Sequence, residues 1–559
     1  MRFVLLAALI VACAHGPRAI QPGRWHELQT ENFAIRTDLP LVDARRVAVD
    51  LEEVRAALFV ASWRRRDLPA GKTQVIVLAD DGELQEYAAE GLQGFVAENA
   101  FGEPIVVISG SDPKDRRFLK HELAHVVTNQ FLVRNPRWVA EGLACYLETL
   151  RFDRVRGQAI VGDWSRDRLL FLRDYPVPSF WKIINTGREA ERMSGREVWA
   201  FETGAWALVR WLIDQRLNAF EDLIQRLARG EDAGYAFAGA FPDLTEARMQ
   251  EGVSAYLSRA QPLGGIVDAP RWKGSVVDRT LPEGEVYATL ADLQRLSVGY
   301  PRTPEREARK AWLLAQALQA DPGNPLAIQL SESGDVAAAT RLHPEDWRAW
   351  LVYAARHDHD LPALQKAAEL APENPTVLSR LAWAEVGQGK FDQALQHAKR
   401  AVAIAPGRSD LLAALGGAQA GTGDCAKGIQ SVQRAIDVLP DGAPADVLGA
   451  LKKTRGSIEE HCQKLAAAKN LETRYLGTPH GCDPAGIRLG KRERVKGKLT
   501  AEFLVRHDGT VRDVVVKDQV SAGTAAAVRR YLESCKYDPV LQDGKPVEVR
   551  WQVEFNVTR

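Results

Sequence analysis

The 559-residue chain has no net charge, because 73 Lys and Arg are cancelled by 73 Asp and Glu. Without a basic excess there is no source for the phosphate neutralisation that dominates nucleic-acid binding, so no nucleic-acid partner is expected. Long apolar runs are also missing. Beyond the first 12 residues, no stretch approaches the roughly 20 residues that a membrane helix needs. Histidine and cysteine are scarce, at eleven and six residues. The remaining composition, 46% apolar, is that of a globular protein. The length suffices for roughly three to four domains.

Against that scarcity, two histidines stand within five residues, in His121-Glu122-Leu123-Ala124-His125. Lys120 and the apolar Leu123, Ala124, Val126 and Val127 give this segment the pattern of a half-buried helix. On a helix His121 and His125 are one turn apart and project from the same face. That suits two nitrogens about 2.0–2.1 Å from one zinc ion. Glu122 stands beside them, where it can take a proton from the attacking water. The chain then turns through Asn135-Pro136 into a second helix that presents Glu141. Two His, one Glu and an open fourth position describe a catalytic zinc site rather than a closed structural one. A chance HExxH string with solvated or core histidines is the bland alternative.

The downstream segment Trp138-Val139-Ala140-Glu141-Gly142-Leu143-Ala144-Cys145-Tyr146-Leu147-Glu148 weighs against chance. With the HExxH helix it resembles the gluzincin metallopeptidases of the peptidase MA-like group, whose second helix reads W-x-x-E-G-x-A-x-Y-x-E. The resemblance implies zinc (Zn2+) held by His121, His125 and Glu141, with Glu122 as general base and acid in peptide-bond hydrolysis. In such enzymes the strand before the zinc helix often forms the sheet edge along which a peptide substrate pairs. Pro104 to Ser109 is that strand here, with an ordinary interior strand as the alternative. Phe201 to Val209 is similar to a Y-x-x-S-W-A-L-V helix of the group, with Glu202 at the tyrosine position and Ala205 at the serine. Tyr146, Trp199 and Tyr235 are candidates to steady an oxyanion, and that role is left unassigned.

The first twelve residues form a short charged and apolar signal peptide, too short to anchor a protein by spanning. Ile10-Val11-Ala12-Cys13 resembles a bacterial lipobox, which implies cleavage before Cys13 and its acylation. Ala14 then favours an exported outer-membrane lipoprotein facing the periplasm. An ordinary secretory peptide is the alternative. Of the other cysteines, Cys145 lies one helical turn past Glu141, either as a fourth ligand or as a small core residue behind the site. The remaining four allow three pairings in an oxidising compartment. Membership of the same local domain favours Cys425 with Cys462 and Cys482 with Cys535.

Residues 25–261 read as one α+β catalytic unit. It holds strands at 33–37, 73–78 and 104–109, a helix from Leu41 to Phe59, later helices at 197–215 and 219–229, and Thr245 as cap of a last one. Residues 262–303, rich in Gly and Pro, read as a linker. Helices follow over 304–470. Pro372, Pro406 and Pro440 recur every 34 residues, in phase with Ala394 and Gly428, Ala401 and Ala435, Leu378 and Leu412, and Leu381 and Leu415. This is the tetratricopeptide period, clear over 375–442 and degenerate before it. Residues 490–559 then alternate, turn at Asp508-Gly509, form a helix to Cys535, turn again at Asp543-Gly544 and end in a strand. The order resembles the C-terminal domain of TonB-type energy transducers. The chain lacks their membrane helix and Pro-rich spacer, so a protein- or peptide-binding module is expected, as for the repeats.

The fold class expected is thus multidomain: a gluzincin-type α+β domain, all-α tetratricopeptide-like repeats and a small α+β TonB C-terminal-like domain. The expected function is a zinc peptidase with a lipid membrane anchor. The rivals are a non-enzymatic assembly lipoprotein that uses the fold as a scaffold, and a structural zinc site closed by Cys145.

Overall fold

The structure is a computed structural model. It describes residues 20–63, 72–89, 92–110, 116–186, 193, 195–259, 264–269, 271–297, 301–331, 334–439, 443, 445–468, 479–483, 486–487, 489, 497–542 and 545–557. The signal segment 1–12, Cys13, Pro440 and the Asp543-Gly544 turn lie outside the described residues.

The chain begins with strands β1 (His26–Gln29) and β2 (Phe33–Thr37), helix α1 (Leu41–Trp63), strand β3 (Thr73–Leu78), helix α2 (Asp81–Leu84) and strands β4 (Gly94–Glu98) and β5 (Pro104–Ser109). Then come α3 (Arg117–Phe131), α4 (Arg137–Leu147), β6 (Arg151–Asp153), β7 (Gln158–Val161), α5 (Arg166–Asp174), α6 (Phe180–Ile184), α7 (Gly195–Ala228), α8 (Ala233–Ala240) and α9 (Glu246–Leu257). Helix α7 breaks at Arg216, whose φ of −145° and ψ of 39° are not helical, so it consists of the two helices expected there, meeting at a kink. Thr245 caps α9 by accepting from the Arg248 amide.

Two expectations are corrected at this level. Residues 262–303 are not a linker. They supply β8 (Gly265–Asp268), which pairs with β7, β9 (Val277–Thr280), which pairs with β1, and helix α10 (Glu283–Leu296). Every α10 residue from Val286 to Gln294 is buried, and its polar stripe of Glu285, Thr289, Asp292 and Arg295 meets Arg36, the Ala100 amide and the Glu98 carbonyl. The second correction concerns the sheet, whose order is β4-β5-β3-β2-β1-β9. Strand β5 is interior, between β3 (parallel) and β4 (antiparallel), and the edge strand on that side is β4.

Side-chain alternation along β3 explains what covers the sheet. Val75 and Val77 join Val106 and Ile108 in a core with α1 and α3. Ile76 and Leu78, with Ile105 and Val107, join a different core that includes Leu290 and Leu293 of α10. That second core continues into α11 (Pro304–Ala320), α12 (Pro325–Leu330), α13 (Val336–Leu342), α14 (Trp347–Arg356) and α15 (Leu361–Leu370). The helical array therefore forms the third layer of the sheet domain, not a separate bead.

A buried ion network fastens the layers. Arg36 of β2 donates to Glu27 of β1 at 3.0 Å and to Thr289 of α10 at 2.7 Å, and Arg279 of β9 reaches Glu27 and Glu285. Burial alone would raise the Glu27 carboxyl, but Arg36 and Arg279 outweigh it and hold it at about 2.

The 34-residue period appears as helix pairs: α16 (Pro375–Gly387) with α17 (Phe391–Ile404), and α18 (Ser409–Gly421) with α19 (Cys425–Asp437). Gly416 and Gly428 permit the α18–α19 crossing, since a Cβ at Gly416 would stand 2.7 Å from the Gly428 carbonyl oxygen. Helix α20 (Ala445–Ala468) closes the array, with Cys462 bonded to Cys425 of α19.

The C-terminal unit has β10 (Gly497–Val505), β11 (Val511–Val516), α21 (Ala522–Ser534), β12 (Val540–Gln542), β13 (Lys545–Val547) and β14 (Val549–Val557). Its sheet is antiparallel in the order β11-β10-β14. Gly509 turns the hairpin at φ +79°, against the Tyr537 carbonyl, where no side chain fits. Cys482 is bonded to Cys535 at the end of α21. Among the described residues, no helix is long and apolar enough to cross a membrane.

Candidate metal centre

Helix α3 buries Leu119, Leu123, Ala124, Val126 and Val127 against the sheet and α1. The 3.6-residue period then leaves His121, Glu122 and His125 on its other face. Helix α4 starts after Pro136, whose fixed φ suits a helix entrance. It buries Trp138, Val139 and Leu143 in a core with α6 to α9, which turns Glu141 toward α3. Gly142 allows this approach. A Cβ there would lie 2.5 Å from Val209 Cγ2 and 2.8 Å from the Ala205 carbonyl oxygen, so α4 rests directly on the α7 backbone.

The result is a triangle of donor atoms. His121 Nε2 and His125 Nε2 are 3.2 Å apart, and Glu141 Oε2 lies 3.6 Å from the first and 3.5 Å from the second. Ligands 2.0–2.1 Å from a tetrahedral ion stand about 3.3–3.4 Å from one another. The three atoms thus fit zinc in number, kind and spacing. Electrostatics point the same way. Burial works against a charged His121, yet bonds to Cys145, Glu141 and Glu148 raise its pKa well above the histidine range. Burial likewise opposes ionised Glu141, but His125 and His121 hold it well below the carboxylate range. A metal held there would displace the His121 proton.

Glu122 lies between α3 and β4, where its Cγ is 3.2 Å from the Cβ position of Gly94. Its carboxyl is raised, mainly by burial and further by Glu141 and Glu148, while His121 and His125 pull it down.

Behind the triangle lies a carboxylate to which the sequence reading gave no role. Glu148 Oε2 is 2.8 Å from His121 Nδ1, which frees Nε2 to face the other donors. Arg117 of α3 bonds Glu148 at 2.7 Å, and the almost fully buried Arg168 of α5 bonds it at 3.2 Å. Burial would raise Glu148, but Arg168, His121 and Arg117 bring it down to about 2. Arg168 in turn stacks on Trp199, 4.4 Å from the ring centre. Such a carboxylate fixes the tautomer and orientation of a ligating imidazole. We therefore expect Glu148→Gln to weaken zinc binding about 10–100-fold, read by chelator competition, with the fold intact. Wild-type affinity in that variant would remove the role.

Cys145 is fully buried and groups with His121 and Glu148, outside the set of His121, His125 and Glu141. Its thiol is pushed up to about 12 by burial. Among the three aromatic candidates, Trp199 is engaged with Arg168 and Arg117, and Tyr146 packs beside Arg210 and Gly162. Tyr235 is exposed on α8. Glu202 of α7, 3.7 Å from Arg168, has its carboxyl raised by burial and by Glu141. Glu148 was open to recognition, two turns past Glu141 on the same face. Arg168 carries no such signal, since folding alone brings it in, while Glu202 stood out only through the helix similarity that puts it at a tyrosine position.

Comparison with known proteins bears on the rest of the chain. Residues 488–557 match the family described as Gram-negative bacterial TonB protein C-terminal. A solved structure of MamA (41-end) from Desulfovibrio magneticus RS-1 is similar at 18% identity, over 35% of this chain and 100% of that one. Its TM-score is 0.17, which gives it no weight on the fold. No curated protein matches the chain.

Proposed function

We propose that this chain is a zinc-dependent peptidase of gluzincin type, with helical repeats and a TonB C-terminal-like domain as protein-binding modules. The observation that carries the reading is the donor triangle of His121, His125 and Glu141 with Glu122 beside it. Zinc bound there would supply a Lewis acid that polarises the peptide carbonyl and acidifies water. The chain's own residues do the rest. Glu122 accepts the proton of the attacking water and returns it to the leaving amine nitrogen. Glu148, held by Arg117 and Arg168, keeps His121 in one tautomer. Edge strand β4, beside Glu122, offers unpaired backbone groups to an extended peptide.

The TonB-like segment agrees with a Gram-negative envelope setting, and the Ile10-Val11-Ala12-Cys13 motif with a lipid anchor on the outer membrane. A peptide library incubated with wild-type and Glu122→Gln protein tests the reading. Cleavage by the first and not the second supports it, and no cleavage by the zinc-loaded wild type overturns it.

A further inference from the structure

The turn between β4 and β5, Asn99 to Glu103, is half-buried, with Phe101 fully inside. Its shape is set internally, because the Asn99 side chain accepts from the Phe101 and Glu103 amides at 2.9 and 3.0 Å, and Gly102 takes φ +73°. The turn is inserted into the helical array. Asp292 of α10 accepts from the Ala100 amide at 3.2 Å, and Asn374, which caps α16, donates to Glu103 at 2.7 Å. Arg408, at the start of α18, donates to the Gly102 carbonyl at 2.8 Å. Phe101, 5% exposed, meets Trp347 of α14 edge-on at 5.6 Å. The array thus grips one tip with successive helices, as such arrays grip ligands.

The other end of β4 is Gly94, against Glu122. The five-residue strand itself joins the two functions, a span of about 13 Å at strand rise. A strand this short transmits displacement of its tip to the base. Beside the turn a cavity of about 430 Å³ remains, lined by Glu98, Ala100, Phe101 and Gly102 and by residues of α14, α16 and α18. It leaves room for the tip to shift once its bonds are cut.

Resting on the peptidase reading, we propose that the repeat array is the clamp that aligns the substrate-side strand, with Arg408 and Glu103 as positioning residues for peptide binding on β4. Neither touches substrate. Losing their bonds loosens β4 without touching the metal ligands.

The test compares full-length wild type, Arg408→Ala, Arg408→Ala with Glu103→Ala, and Arg408→Lys. The readouts are hydrogen exchange of the β4 amides, zinc content, and KM and kcat on a fluorogenic peptide. In the double variant, β4 exchange should quicken about tenfold or more, the scale of one lost hydrogen bond. Zinc should stay bound and KM should rise about tenfold with kcat within about twofold, the signature of lost binding rather than lost chemistry. Arg408→Lys should recover most of the loss. Unchanged exchange and KM overturn the clamp, as does a collapse of kcat with zinc release, which marks a merely structural contact. If zinc-loaded wild type cleaves no peptide, the peptidase reading falls on its own. The exchange result with retained zinc then decides the clamp.

Discussion

Glu122→Gln is expected to keep its zinc and lose hydrolysis by about 10²–10⁴-fold, the usual cost of removing a positioned acid or base. The substitution is nearly isosteric, so the contact with Gly94 survives and the three ligand atoms keep their places. What it removes is a carboxylate able to accept a proton, since an amide oxygen is far too weak a base at neutral pH. Paired measurements of metal content and turnover separate the outcomes. Zinc retained with activity within a factor of a few of wild type would take the proton-transfer role from Glu122. Zinc lost with activity would mean that the residue supports the ligands rather than the reaction.

The second large effect is expected from Gly142→Ala. The added Cβ meets the Ala205 carbonyl oxygen at 2.8 Å, a backbone atom inside α7 that cannot swing aside, and Val209 Cγ2 at 2.5 Å. Helix α4 must lift from α7, which overpacking places at about 1–3 kcal/mol of stability. Glu141 is the neighbouring residue and moves with the helix, so its oxygen leaves the position where the triangle closes. Denaturant unfolding should show the lost stability, and chelator competition should show weaker zinc retention. A variant with wild-type stability and metal affinity would show that α4 and α7 are not in the contact described.

The parts of this protein that local spacing controls were open to sequence reading. The i, i+4 histidines, the apolar Trp138, Val139 and Leu143 that turn Glu141 inward, and the 34-residue period of the repeats all depend on neighbours within one or two helical turns or on a fixed repeat. The Asp508-Gly509 hairpin of the TonB-like segment belongs with them. The rest depended on burial between distant segments. Helix α10 has a polar stripe that folding turns onto Arg36 and the β4–β5 turn, and the Gly and Pro before it read as a boundary. Strand β4 is five residues long and opens on Gly94, so it left no strand pattern, and the edge expected at β5 came only from the resemblance to the gluzincin group. Arg168 reaches Glu148 from 20 residues away and Arg408 reaches Gly102 from 306, with no periodic trace of either. The union of repeats and sheet into one core is the clearest case, because punctuation in a sequence marks turns and not the faces that later meet.

The central claim is the metal, and elemental analysis of full-length protein purified without chelator or added metal tests it most directly. One zinc per chain is expected in the wild type, falling to a small fraction in His125→Ala while the helical content stays as it was. A wild-type protein without tightly bound metal, or a His125→Ala protein that holds zinc as firmly as wild type, would contradict the account.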